Sequence, residues 1–204
     1  MKKNIRYVAL GDSYTICEGI TREESWPYKL TSNLQEKGIQ IELIANPSQT
    51  GWTTQNLIEN ELPIFDSSTP NFSTLLIGVN DWVQEVDCKK FQSNLILIIN
   101  HVQKKIGNNL ILITIPDFSA TPEGPKYGNG RDITKGIQEF NQIIINESIN
   151  RKLKHVDIFP LSQEMKNNPD LVSSDGLHPA AKEYALWNQL ITQATFELLN
   201  ENFS

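Results

Sequence analysis

An α/β fold, with a parallel sheet sandwiched between helices, is the architecture the sequence predicts, and two observations predict it. Five short runs have the length and apolar density of buried strands, and stretches with helical striping alternate with them along the chain. Alternation of this kind implies right-handed crossovers and one shared core. At 204 residues and 39% hydrophobic content, a single domain over residues 1–204 is expected.

The first strand, residues 5–10, breaks at Gly11 and delivers Asp12 and Ser13 in a turn. Loops just past the carboxyl ends of strands form the ligand crevice of open α/β sheets, so Ser13 is placed to meet a substrate. Gly-Asp-Ser arises by chance in about one chain in twenty and is by default a turn, so the serine needs partners elsewhere. Residues 14–24 read as a loop. Ser25-Trp26-Pro27 starts a helix with proline in its first turn, and Trp26, Leu30 and Leu34 keep one stripe until Lys37-Gly38 closes it.

Residues 39–45 alternate Ile39, Ile41 and Leu43 with polar neighbours as a second strand, ended by Asn46-Pro47. A polar loop, 48–54, then enters a short helix through Leu57, Ile58 and Leu62, and 66–72 reads as a Pro/Ser linker. The third strand, 73–77, ends at Gly78-Val79-Asn80-Asp81. Cys88, Phe91, Leu95, Ile98, Val102 and Ile106 mark a long amphipathic helix closed by Lys104-Lys105 and Gly107. Residues 110–115 form the fourth strand. The segment 117–130, with three glycines and two prolines, is too long for a mere connector and is expected to shape the crevice. Ile133, Ile137, Phe140, Ile144 and Ile149 stripe another helix, 156–159 makes a short fifth strand, and 180–199 forms the closing helix.

A formal charge of −6 without a dense Lys/Arg run argues against nucleic acid or an anionic membrane as partner. No segment reaches the roughly twenty apolar residues a membrane span needs, so no membrane anchor is expected. Met1-Lys2-Lys3 resembles the start of an export signal, but the apolar run after it is too short and is read as the first strand. Cys17 and Cys88 stand in no metal or Cys-x-x-Cys spacing. Both are expected as free thiols in a reducing, cytoplasmic setting.

Acyl transfer by a serine needs a base, a carboxylate that orients it, and donors for the oxyanion. There are three histidines. His101 lies within a helix and is read as a surface residue; His155 begins the fifth strand, at the end away from the crevice. His178 lies in Ser173-Ser174-Asp175-Gly176-Leu177-His178-Pro179, just before the last helix. From three residues ahead Asp175 can hold one imidazole nitrogen and leave the other for Ser13. Taken alone, that pair reads more readily as a turn residue and a helix entry. Gly51, read as opening a helix, offers an unhindered backbone N–H, and Asn80 offers a side-chain amide at the end of the third strand. These groups all occupy loops on one rim of the sheet.

In this order, Gly11-Asp12-Ser13, Gly51, Gly78-Val79-Asn80-Asp81 and Asp175-Gly176-Leu177-His178-Pro179 resemble the SGNH hydrolases, also called GDSL-type esterases and lipases. The resemblance spans almost the whole chain. It implies a three-layer α/β/α sandwich, flavodoxin-like, with a five-stranded parallel sheet. It further implies that Ser13 is the nucleophile, His178 the base and Asp175 its orienting acid, with an oxyanion hole from the N–H groups of Ser13 and Gly51 and the Asn80 amide. The implied reaction is hydrolysis of a small-molecule carboxylic ester through an acyl-enzyme, with no metal and no cofactor. Tyr14 departs from the leucine usual after the serine, and Cys17 stands near a position where glycine is common. Gly-x-Ser-x-Gly is absent, which argues against the α/β-hydrolase fold.

Other residues invite a role at the site. Asp12 is a candidate substrate contact, though a turn-stabilising carboxylate fits it better, and Asp81 reads as a structural acceptor. Trp52 and Trp82 flank the two donors and are candidates for the acyl pocket; Phe118 and Tyr127 are candidates for the leaving-group side. Two other functions compete. One is a flavodoxin-like phosphate- or nucleotide-binding module using the Ser13/Thr15 loop, against which Asp12 would set a negative charge. The other is a metal-dependent phosphatase using Asp12, Asn80, Asp81 and His178.

Overall fold

A computed structural model of the chain describes residues 4–203. Met1-Lys2-Lys3, the basic start weighed above as an export signal, lies outside the described residues. Strands β1 (Ile5–Gly11), β2 (Ile41–Ala45), β3 (Phe72–Leu76), β4 (Leu110–Ile113) and β5 (Lys154–Val156) form one parallel sheet in the order β2-β1-β3-β4-β5. Chain direction across the sheet switches between β1 and β3, the point at which doubly wound sheets open a crevice. Gly11 pairs in register with Leu76, so the two loops that flank this crevice start side by side. A Cβ on Gly11 would lie 2.2 Å from the Leu76 carbonyl oxygen and 2.1 Å from Thr15 Oγ1. Only glycine lets the strand turn there.

Helices α2 (Trp26–Glu36) and α9 (Ala181–Phe203) pack together on one face, with α6 (Cys88–Ile106) and α7 (Ile133–Arg151) paired on the other. The result is the expected three-layer sandwich. Its middle is dry: Tyr7, Val8, Ala9 and Leu10 of β1 and every residue of β4 are fully buried. Among the described residues no helix is long and apolar enough to cross a membrane.

Several local readings are corrected. Ser13 is not followed directly by a loop: it opens a four-residue helix, α1 (Ser13–Ile16), capped by the Asp12 carboxylate. Residues 66–68, read as linker, end a continuous helical stretch made of α3 (Thr54–Asn56), a π turn (Leu57–Glu61) and α4 (Leu62–Ser68). They are polar because this last turn faces solvent, where Asp66 pairs with His101 at 3.0 Å and Lys105 at 3.5 Å. Gly51 does not open that helix, since Thr53 is its N-cap. Strand β5 begins two residues earlier than expected and is polar because it is the sheet's edge, while Ile158 and Phe159 already lead into α8 (Phe159–Ser162). His155 therefore lies within β5, exposed, with Nδ1 2.8 Å from Ser148 Oγ. Ile149 falls off its helix stripe and is 63% exposed, as its five-residue step from Ile144 requires.

Candidate active site

The crevice over β1 and β3 holds a cavity of about 400 Å³. Ser13 and Tyr14 form its floor. Thr50, Gly51, Val79 and Asn80 line one wall, Asp175, Leu177 and His178 line another, and Glu18 lies between them, bonded to Thr50 and near His178. Phe118, Glu123 and Tyr127 close the far side, so the long loop after β4 does shape the crevice.

Each wall follows from local sequence. Asp12 Oδ1 accepts from Tyr14 N at 3.0 Å, which fixes the turn that raises Ser13. The Ser13 side chain is 5% exposed, and among the described residues its hydroxyl makes no hydrogen bond. On the opposite wall Val172 and Pro179 bridge as antiparallel partners, and Ser173 N donates to the His178 carbonyl at 2.8 Å. The tight hairpin sets Asp175 Oδ2 2.6 Å from His178 Nδ1, while Oδ1 accepts from His178 N, Leu177 N and Ser173 Oγ. Partial burial pushes the Asp175 carboxyl upward, but the hydrogen bonds from Ser173, His178 and Leu177 outweigh it and hold Asp175 well below the usual carboxylate range. It is therefore an acceptor throughout the neutral range, and Nδ1 carries the proton.

The other imidazole nitrogen, Nε2, faces the cavity and lies 3.9 Å from Glu18 Oε2. Tyr14 meets the His178 ring edge-on at 5.7 Å and so limits its rotation. Asn80 Nδ2 donates to the Trp52 carbonyl at 2.9 Å, which leaves its second amide hydrogen available. Gly51 sits at φ +80, a conformation glycine adopts freely, and space stands open where a side chain would be. Asp81 ties this wall together, accepting from Thr54 N at 2.8 Å and Thr54 Oγ1 at 2.5 Å.

Not every candidate reaches the cavity. Asp12 is fully buried beneath it as a cap, and Thr15 is buried with its hydroxyl turned to the Leu76 carbonyl at 3.4 Å. A phosphate cradle from Ser13 and Thr15 is thus not formed. Asp12 and Asp81 lie buried, each accepting from a backbone amide, and among the described residues no three His, Cys, Asp or Glu side chains are grouped to hold a metal ion, so the grouping suggested with Asn80 and His178 is not formed. Trp82 packs behind the wall, edge-on to Phe118 at 5.8 Å and stacked under the Arg131 guanidinium at 4.0 Å. Trp52 contributes its carbonyl to Asn80, not its ring to the lining. Conversely, Glu18, Thr50, Leu177 and Glu123 line the cavity and were not singled out in the sequence. Thr50, adjoining Gly51, and Leu177, adjoining His178, carried a signal that could have found them.

Residues 9–186 match the profile of the GDSL-like lipase/acylhydrolase family. The chain belongs to that family. As a GDSL-like acylhydrolase it is a carboxylic ester hydrolase. It is 28% identical over 178 residues to an arylesterase of Vibrio mimicus, covering 85% of this chain and 80% of that one. Among solved structures, the psychrotrophic esterase EstA of Pseudoalteromonas sp. superposes with a TM-score of 0.74 at 23% identity, over 97% of this chain and 100% of that one. Axe2, an acetylxylan esterase of Geobacillus stearothermophilus, superposes at 0.75 with 16% identity, over 96% of each chain. At these identities the two structures speak to the fold, and both share the α/β sandwich of this GDSL-like chain.

Proposed function

We propose that this GDSL-like hydrolase cleaves small-molecule carboxylic esters through an acyl-enzyme formed on Ser13, with His178 as general base and Asp175 as its orienting acid. The observation that supports this most is the 2.6 Å contact between Asp175 Oδ2 and His178 Nδ1, which turns Nε2 into the cavity floored by an unpartnered, nearly buried serine hydroxyl. Ser13 Oγ attacks the ester carbonyl, Nε2 takes its proton, and the carbonyl electron pair moves onto oxygen. The resulting oxyanion is met by the N–H groups of Ser13 and Gly51 and by the free amide hydrogen of Asn80, each such donor lowering the barrier by about 3–4 kcal/mol. Collapse expels the alcohol, protonated by the imidazolium. Water then repeats the sequence on the acyl-enzyme and frees the acid.

The hydrogen bond from Ser13 to Nε2 is not made in the resting structure. Contacts of this kind tighten when substrate excludes water, and the ring has a path because its Nε2 side borders open cavity. The cavity, about 400 Å³, suits a short acyl group. Hydrolysis of nitrophenyl acetate by the wild type, and its loss in Ser13→Ala with the fold unchanged, tests this reading.

A further inference from the structure

Among the described residues no Lys or Arg lines the cavity, yet two glutamates face into it beside Asp175. They differ in circumstance. Glu123 is paired with Lys126, whereas among the described residues Glu18 has no Lys or Arg partner. The Glu18 carboxylate accepts a hydrogen bond from Thr50 Oγ1, next to Gly51, and its Oε2 stands 3.9 Å from His178 Nε2. With Asp175 on Nδ1, the ring has a carboxylate toward each nitrogen. The Thr50 contact holds the half-exposed Glu18 carboxylate beside the imidazole.

We infer that Glu18 is a specificity-determining residue that restricts the crevice to esters without negative charge near the scissile bond and favours those with a cationic acyl or alcohol group. The inference rests on the hydrolase reading above. A substrate whose carbonyl carbon meets Ser13 and whose oxyanion meets Asn80 must pass its remaining groups close to Glu18 or to Phe118 and Tyr127. An anionic group about 6 Å from an unpaired carboxylate, in a partly desolvated cleft, is disfavoured about tenfold or more, and a cation is favoured in like measure. Tyr127, 46% exposed on the cavity lining, adds to the attraction for a cation. The chain's overall charge of −6 acts in the same direction at longer range.

The test compares kcat/KM for the nitrophenyl monoester of succinate, its methyl ester, which is a neutral mimic of similar size, and a nitrophenyl ester whose acyl chain ends in trimethylammonium. In wild type the order is cationic, then neutral, then anionic, and the spread shrinks at about 0.5 M salt. Glu18→Gln raises the anionic-to-neutral ratio about tenfold, Glu18→Asp keeps it near wild type, and Glu18→Lys reverses the order. A ratio unchanged in Glu18→Gln, with the thermal midpoint preserved, would overturn the inference while leaving the hydrolase reading intact. Turnover of none of the three esters by wild type would overturn both.

Discussion

Asp175 and His178, three residues apart in one hairpin, are joined twice: Oδ2 meets the ring at Nδ1 and Oδ1 accepts from the His178 backbone N–H at 2.9 Å. One carboxylate thus fixes both the tautomer of the base and the turn that presents it. Asp175→Asn keeps the volume but offers a donor where Nδ1–H requires an acceptor. We expect kcat to fall by about 10³–10⁴ with little change in the far-UV spectrum. Since Asp175 titrates below the usual range, its own stabilising contribution is present above about pH 4 and is lost only as pH falls below that.

Asn80→Ala removes a donor whose other hydrogen anchors the wall through Trp52. A loss in kcat of about a hundredfold with KM nearly unchanged is expected, because the missing contact forms only as the oxyanion develops. Steady-state kinetics on a neutral nitrophenyl ester separates the two constants.

Two carboxyls lie buried beneath the serine turn. Glu61 Oε2 accepts from Gly11 N at 3.0 Å, while Glu61 Oε1 and Asp12 Oδ2 have no hydrogen-bond partner among the described residues. Burial pushes Asp12 up to about 8 and Glu61 up to about 9. Both are then protonated in the folded chain at neutral pH, while in the unfolded chain they ionise near their ordinary values of 3.8 and 4.5. The unfolded state binds fewer protons between those limits, so stability is greatest below about pH 4 for this pair and falls as pH rises toward 8 or 9. Thermal midpoints measured from pH 5 to 9 should decline, and Glu61→Gln, an uncharged mimic of the protonated acid, should flatten the decline. An equal slope in the variant would contradict this origin.

Much of this was legible in the sequence, for physical reasons that differ by region. The central strands β1, β3 and β4 stood out because the middle of a parallel sheet must be apolar on both faces, and the Asp175–His178 pair because a base and its acid can be met within a single turn. The rest depended on tertiary context. Glu61 carried no signal in the sequence, because its burial and its contact with Gly11 N arise where the π turn over Leu57–Glu61 packs beneath β1. Strand β5 hid because an edge strand tolerates Lys154 and His155. Cys17, noted where glycine is common, caps α1 at φ 61, a left-handed conformation that explains the glycine, yet nothing local in the sequence reveals that turn. Glu18 came within reach of His178 only through the fold, since the two are far apart in the chain.

The most direct measurement is mass spectrometry after reaction with a fluorophosphonate, an electrophile that captures an activated serine as the tetrahedral ester. A single adduct is expected on the peptide that contains Ser13, absent from Ser13→Ala and strongly slowed in His178→Ala. An adduct formed equally by Ser13→Ala, or carried on another residue of the wild type, would contradict Ser13 as the nucleophile.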